Sequence, residues 1–163
     1  HVSGGVRHID VGGLTFEAPD GWTYEHPDSG MRRAQFGIRA PSGNAGLVVY
    51  FFGQEGAGSP QANFERWTSQ FKNADGSPRE PAEPRRRKVS GLGVVQVEVA
   101  GTYVGGMGSG QGVDARPEQR MIATIVETPL GPFYFKLLGD DAVVASNRKA
   151  LEALLSSMKL TEG

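Results

Sequence analysis

The sequence predicts an α+β fold in which hairpin-connected strands pack against helices, and three stretches carry that expectation. MIATIVE and FYFKLL, joined by TPLGP, read as a hairpin between Gln119 and Leu138. It is followed by GDDAVVASNRKALEALLSSMKL, read as one long amphipathic helix with Val144, Leu151, Leu154, Leu155 and Met158 at helical spacing and Arg148, Lys149 and Glu152 on another face. GLVVYFFG holds six consecutive apolar residues from Leu47 to Phe52, as expected of an interior strand covered on both faces. Phe64, Trp67 and Phe71 stand at i, i+3 and i+7, an aromatic stripe that one helix would turn toward a sheet.

The remaining elements follow in chain order. VRHIDVGGLTFEAPDGW reads as two short strands broken at Gly12-Gly13, the second with Leu14, Phe16 and Ala18 on a buried face and Thr15 and Glu17 outward. Pro19-Asp20-Gly21 turns the chain into Trp22 and Tyr24, two aromatics that close the edge of a core or, alternatively, stack on a ligand. In MRRAQFGIRA the alternation puts Ala34, Phe36 and Ile38 inside and Arg33, Gln35 and Arg39 outside. Pro41 to Asn44 reads as a four-residue hairpin turn. Ser59 is a suitable N-cap and Pro60 a suitable first residue for a helix running to Asn73, ended by Asp75-Gly76. Ser77 to Pro84 has three prolines and reads as a loop. Arg85 to Lys88 then enters a strand, Gly91-Leu92-Gly93 turns it, and Val95, Val97 and Val99 alternate with Gln96 and Glu98 up to Tyr103. The glycine-rich stretch from Gly105 to Arg116 reads as an exposed loop between strands.

The totals agree with one domain over 1–163, long enough to bury roughly 70% of its unfolded surface. A net charge of -1 argues against a binder of polyanions driven by bulk electrostatics. The 24 glycines suggest long loops around a modest core. With no cysteine, disulfides, thiolate catalysis and cysteine-ligated metals are excluded. No apolar run approaches the ~20 residues of a membrane span. The first residue is His rather than Met, which points to removal of an N-terminal segment and leaves room there for a signal or a lipid anchor.

No motif assigns a chemistry. His1, His8 and His26 lack zinc-site spacing. The glycine-rich stretch lacks the Lys-Ser/Thr of a phosphate loop, and Ser109 has Met107 where a nucleophile elbow needs glycine. A triad from His8 or His26 with Asp10, Asp20 or Asp28 is neither supported nor excluded by spacing. Asp140-Asp141 suits a helix start better than acid-base catalysis. The run Arg85 to Lys88 would place Arg85 and Arg87 on one strand face and Arg86 and Lys88 on the other. That run guards an edge strand or, with Arg33 and Arg39, presents a basic surface; interleaved aromatics expected of a single-strand nucleic-acid binder are lacking.

Two local patterns add a resemblance. LTFEAPDGW, with Phe16, Pro19, Gly21 and Trp22, and GPFYFKLLGDDAVVASNRKALEALLSSMKL, with Tyr134, a small-residue turn at Gly139, Leu154, Leu155 and Ser157, resemble the superfamily of PsbP, the lipoprotein DcrB and a Ran-binding nuclear import factor. The resemblance implies an α/β/α sandwich and a non-catalytic binding or accessory role with no cofactor. Many bacterial members are exported or lipid-anchored, so it also implies an extracytoplasmic setting and a protein partner. The surface residues expected to serve that partner or a ligand are Trp22, Tyr24, Arg33, Arg39, Arg85, Arg87 and Tyr103. The rival expectation is a small-ligand carrier or hydrolase-type enzyme with a pocket under the 105–116 loop, lined by Trp22, Tyr24 or Tyr103.

Overall fold

The computed structural model describes residues 7–19, 21–25, 32–51, 60–73, 83–103 and 116–161. In chain order the elements are β1 (Arg7–Asp10), β2 (Leu14–Ala18), β3 (Thr23–Glu25), β4 (Arg32–Ala40), β5 (Gly43–Phe51), α1 (Pro60–Thr68), β6 (Phe71–Lys72), β7 (Arg85–Val89), β8 (Leu92–Tyr103), β9 (Arg116–Thr128), β10 (Gly131–Asp140), α2 (Asp141–Ser146), α3 (Arg148–Ser156) and β11 (Lys159–Leu160). The large sheet runs β3-β4-β5-β10-β9-β8-β6, antiparallel throughout, with β7 also pairing β8; β1, β2 and β11 form a small second sheet.

Strand alternation divides the core in two. On β10, Phe133, Phe135 and Leu137 face one way, into a cluster with Phe16, Phe36, Leu47, Val143, Leu151, Leu154 and Leu155. Helices α2 and α3 and strand β2 therefore cover this face, and the Phe16 ring meets Phe135 edge-on at 5.5 Å. The opposite face carries Tyr134, Ile125, Val95 and Val97 beneath Phe64 and Trp67 of α1, with Trp67 T-shaped on Tyr134 at 5.7 Å. Helices on both faces of one antiparallel sheet make the expected α/β/α sandwich, an α+β fold.

Several elements differ from their sequence reading, each for a local reason. The closing helix is two helices. Asn147 ends α2 and starts α3, its Nδ2 donating to the Val143 carbonyl and its Oδ1 accepting from Trp22 Nε1 at 2.9 Å. Met158 is buried beyond α3, where the chain turns into β11 against β2. Helix α1 stops at Thr68, and the buried Phe71 lies on β6 opposite Tyr103 rather than on the helix. A tight turn, with Gln70 N bonded to the Trp67 carbonyl, carries the stripe across that change. The β4–β5 hairpin turns on two residues, not four, since Ala40 pairs with Gly43. The β7–β8 turn likewise falls on Ser90-Gly91, where both φ values are positive (55° and 79°), as a primed two-residue hairpin requires. Gly139 lies within β10, paired with Ala45 and Arg120, rather than in a turn.

Asp140 does not cap α2 with its side chain. Its carboxylate instead accepts from the Asn44 backbone N–H (2.9 Å) and from Gln119 Nε2 (2.6 Å), joining β5, β9 and β10. Readings made for Asp20, His26, Asp28, Phe52, Ser59, Asp75-Gly76, 77–82 and 105–115 lie outside the described residues.

Candidate functional site: a charged groove beside helix α3

Strand β7 hangs on the outer edge of β8, and α3 runs alongside on the same sheet face. Between them lies a groove of about 620 Å³ bordered by Glu83, Pro84, Arg85, Gln96, Glu98, Arg120 and Arg148. It continues along α3 as a space of about 360 Å³ past Arg87, Ile122, Leu151 and Glu152.

Strand parity builds the groove. Glu98 of β8, paired with the buried Ile122, and Arg120 of β9, the next same-face position after Ile122, sit on the helix-covered face. Glu98 there accepts from both Arg120 Nη1 and Arg148 Nη1, while Arg120 Nε donates to Asp141 Oδ1 at 2.6 Å. Arg87 donates through Nη2 to both oxygens of Glu152, at 2.8 and 2.7 Å. Gln96 Nε2 donates to Thr124 Oγ1 on the floor. Burial pushes the Glu98 carboxyl up, but the hydrogen bonds and charges of Arg148 and Arg120 outweigh it and hold the group below the usual carboxylate range. Burial likewise acts to lower Arg120, and Asp141 and Glu98 more than compensate.

Because the folded pKa of Glu98 is depressed, its contribution to stability is present above the unfolded value near 4.5 and is lost as pH falls through the folded value. With solvent screening discounted, Glu98→Gln is expected to cost about 1 kcal/mol near neutrality. Urea melts near pH 7 and near pH 3 should show that difference shrinking in acid; an equal cost at both would contradict the network.

At the groove mouth the picture changes. Arg85 and Glu83 are exposed side by side, and among the described residues neither is in an ion pair. The lining as a whole interleaves four guanidinium groups (Arg85, Arg87, Arg120, Arg148) with three carboxylates (Glu83, Glu98, Glu152), and Asp141 pairs with Arg120 from outside it.

Of the residues expected from sequence, only Arg85 and Arg87 meet in this groove. Arg86 and Lys88 are exposed, and strand alternation points them away from it. Trp22 is buried and bonded to Asn147, so it serves the core rather than a ligand. Tyr24 is exposed on β3, its ring 5.5 Å from Phe36. Arg39 is exposed near the β4–β5 hairpin. Arg33 is not on the outer side with Gln35 and Arg39: a bulge between Arg32 and Ala34 rotates it inward, where it stacks on Phe51 at 5.0 Å and donates to the Val11 carbonyl. Tyr103 packs 5.3 Å from Phe71 and borders a separate cleft of about 280 Å³ with Asn44, Gln119, Leu138 and Asp140. Trp22 and Tyr24 do not line that cleft.

Glu98, Arg120, Arg148 and Asp141 escaped sequence reading because they come from four elements and converge only through register. Among the described residues there is no group of three or more His, Asp or Glu side chains placed to hold a metal ion, and no helix long and apolar enough to cross a membrane.

Neither a family model nor a curated protein matches the chain. Among solved structures it is similar to cyanobacterial PsbP from Synechocystis sp. PCC 6803, at 13% identity and a TM-score of 0.58, covering 98% of this chain and 95% of that one. It is also similar to PA94 from Pseudomonas aeruginosa, a protein of unknown function, at 11% identity and a TM-score of 0.52, covering 98% and 100%. The fold implied by the two sequence motifs is therefore the fold observed, a PsbP-like one.

Proposed function

We propose, from the PsbP-like fold and the charged groove, that the chain is a non-catalytic binding or accessory domain of an exported bacterial protein, and that the groove between β7 and α3 engages a protein partner. The observation carrying this reading is the mouth: Arg85 and Glu83 offer one cation and one anion, while the neighbouring charges hold one another in place. Such an interleaved lining suits the mixed charges of a protein surface, and its carboxylates set repulsion against the attraction a polyanion would feel. The extracytoplasmic setting rests on the family resemblance alone.

A photoreactive residue in place of Glu83, introduced into the full-length protein in its own cells, should crosslink to one discrete protein. The same residue at Leu130, an exposed apolar position on the β9–β10 turn, should give no such adduct. A chain that gives the same adduct pattern from both positions, or that turns over generic esterase or phosphatase substrates, would remove this reading.

A further inference from the structure

On the sheet face opposite the groove, three antiparallel strands lay out a small grid. Arg32 pairs across to Tyr50 and Tyr50 to Tyr134; Gln35 pairs to Val48 and Val48 to Lys136. Trp67 of α1 walls one side, 6.3 Å from Tyr50 and 5.7 Å from Tyr134. Lys136 Nζ lies 5.1 Å from the Trp67 ring centre, and the Arg32 guanidinium 5.8 Å from that of Tyr50. Arg32, Gln35, Val48, Tyr50 and Lys136 are all half-buried, so the grid is a partly open floor rather than sealed core.

Among the described residues the floor holds two cations, Lys136 and Arg32, and neither is in an ion pair. Lys136 feels the positive charges of Arg32 from β4 and Arg66 from α1, and among the described residues no carboxylate pairs with it. Its neighbours on β9 and β8 are Ala123 and Val97, which offer no charge. Tyr50 also faces it; burial pushes that hydroxyl up, outweighing Arg32, so it stays protonated and neutral near pH 8. Glu25 is tied into the rim, accepting from Gln35 Nε2 at 3.0 Å. Burial first, then Arg32 and Arg66, lower the Lys136 amine to about 8. Contacts with the rings offset part of this but leave the mutual repulsion of the cations in place.

We infer that this floor is a binding site for a phosphate group, held by Lys136 and Arg32. Two cations on one sheet face, Lys136 and Arg32, match the charge of about −2 on a phosphate monoester better than that of a monoanion. Arg32 supplies a planar fork and Lys136 a point charge, the usual division of labour around phosphate. The site lies across the sheet from the β7–α3 groove and is independent of the partner reading.

The full chain would be titrated with inorganic phosphate at fixed ionic strength, following the Trp67 indole N–H and the Lys136 amine by NMR. Expected are saturable shifts at both, a rise in the Lys136 pKa on binding, and affinity about threefold or more weaker near pH 9 than near pH 7, the amine's loss of its proton outweighing the second ionisation of phosphate. Lys136→Met and Arg32→Gln should each weaken binding at least about tenfold, with Arg86→Gln on the far edge strand unchanged; amide spectra of the free variants confirm their folding. A parallel arm uses phosphatidylcholine vesicles with and without phosphatidic acid. Saturation by soluble phosphate assigns a soluble ligand, and Lys136-dependent binding only to phosphatidic acid assigns a lipid headgroup. Failure of both arms, or equal affinity in Lys136→Met and Arg86→Gln, overturns the site.

Discussion

Leu154→Asp or Leu155→Asp is expected to lower the unfolding free energy by about 4–5 kcal/mol, a third or more of the stability of an ordinary domain. Both side chains are fully buried on α3, in one cluster with Phe16, Phe135 and Val144. A carboxylate at either place loses its water, and no cation belongs to that cluster to receive it. Ala153→Asp, on the exposed side of the same helix, provides the control and should melt close to the parent. Near-parental melting of Leu154→Asp and Leu155→Asp would show that α3 does not pack on the sheet as described.

Gly139→Ala should also be costly, by about 2–3 kcal/mol, for a different reason. A methyl group there would sit 2.3 Å from Ala45 Cα, 2.4 Å from Ala45 Cβ and 2.5 Å from the Asn44 carbonyl oxygen, so backbone rather than a flexible side chain must yield. The displaced strand is also the one whose Asn44 N–H is held by Asp140. Gly46→Ala meets only the Phe36 carbonyl at 3.3 Å, and the reduced freedom of its unfolded chain offsets part of that tightness. Denaturant melts should therefore separate the two variants clearly. Equal stability would mean that β5 and β10 can spread apart at this end without cost.

The contrast between these glycines explains what the sequence could convey. Alternation in Phe133, Phe135 and Leu137 names a buried face wherever the strand lies, so the core strands were legible. The proximity of Gly139 to Ala45 depends on β10 pairing with β5, nearly a hundred positions away, and no local pattern encodes it. The bulge that turns Arg33 inward is equally hidden, because one extra residue inverts the parity on which the reading relies. Asn147 misled in another way: its neighbours keep helical spacing, while its own side chain closes one helix and supports Trp22. Of the candidate site, the shared face of Arg85 and Arg87 was legible from alternation, whereas Glu98, Arg120 and Arg148 are assembled by tertiary register. Lys136 did carry a signal that went unread, since a lysine in an interior strand with apolar neighbours on both faces is unusual.

The groove, the fold and the two charges at its mouth, in no ion pair among the described residues, combine into one claim, that a protein partner docks between β7 and α3. Charge reversal at the mouth tests it most directly. Arg85→Glu touches no ion pair among the described residues, so stability should hold. The crosslink from position 83 should weaken by about tenfold or more, and Arg86→Glu, on the opposite face of the same strand, should leave it intact. An adduct that survives Arg85→Glu unchanged, or that is lost equally with Arg86→Glu, would contradict docking in the groove.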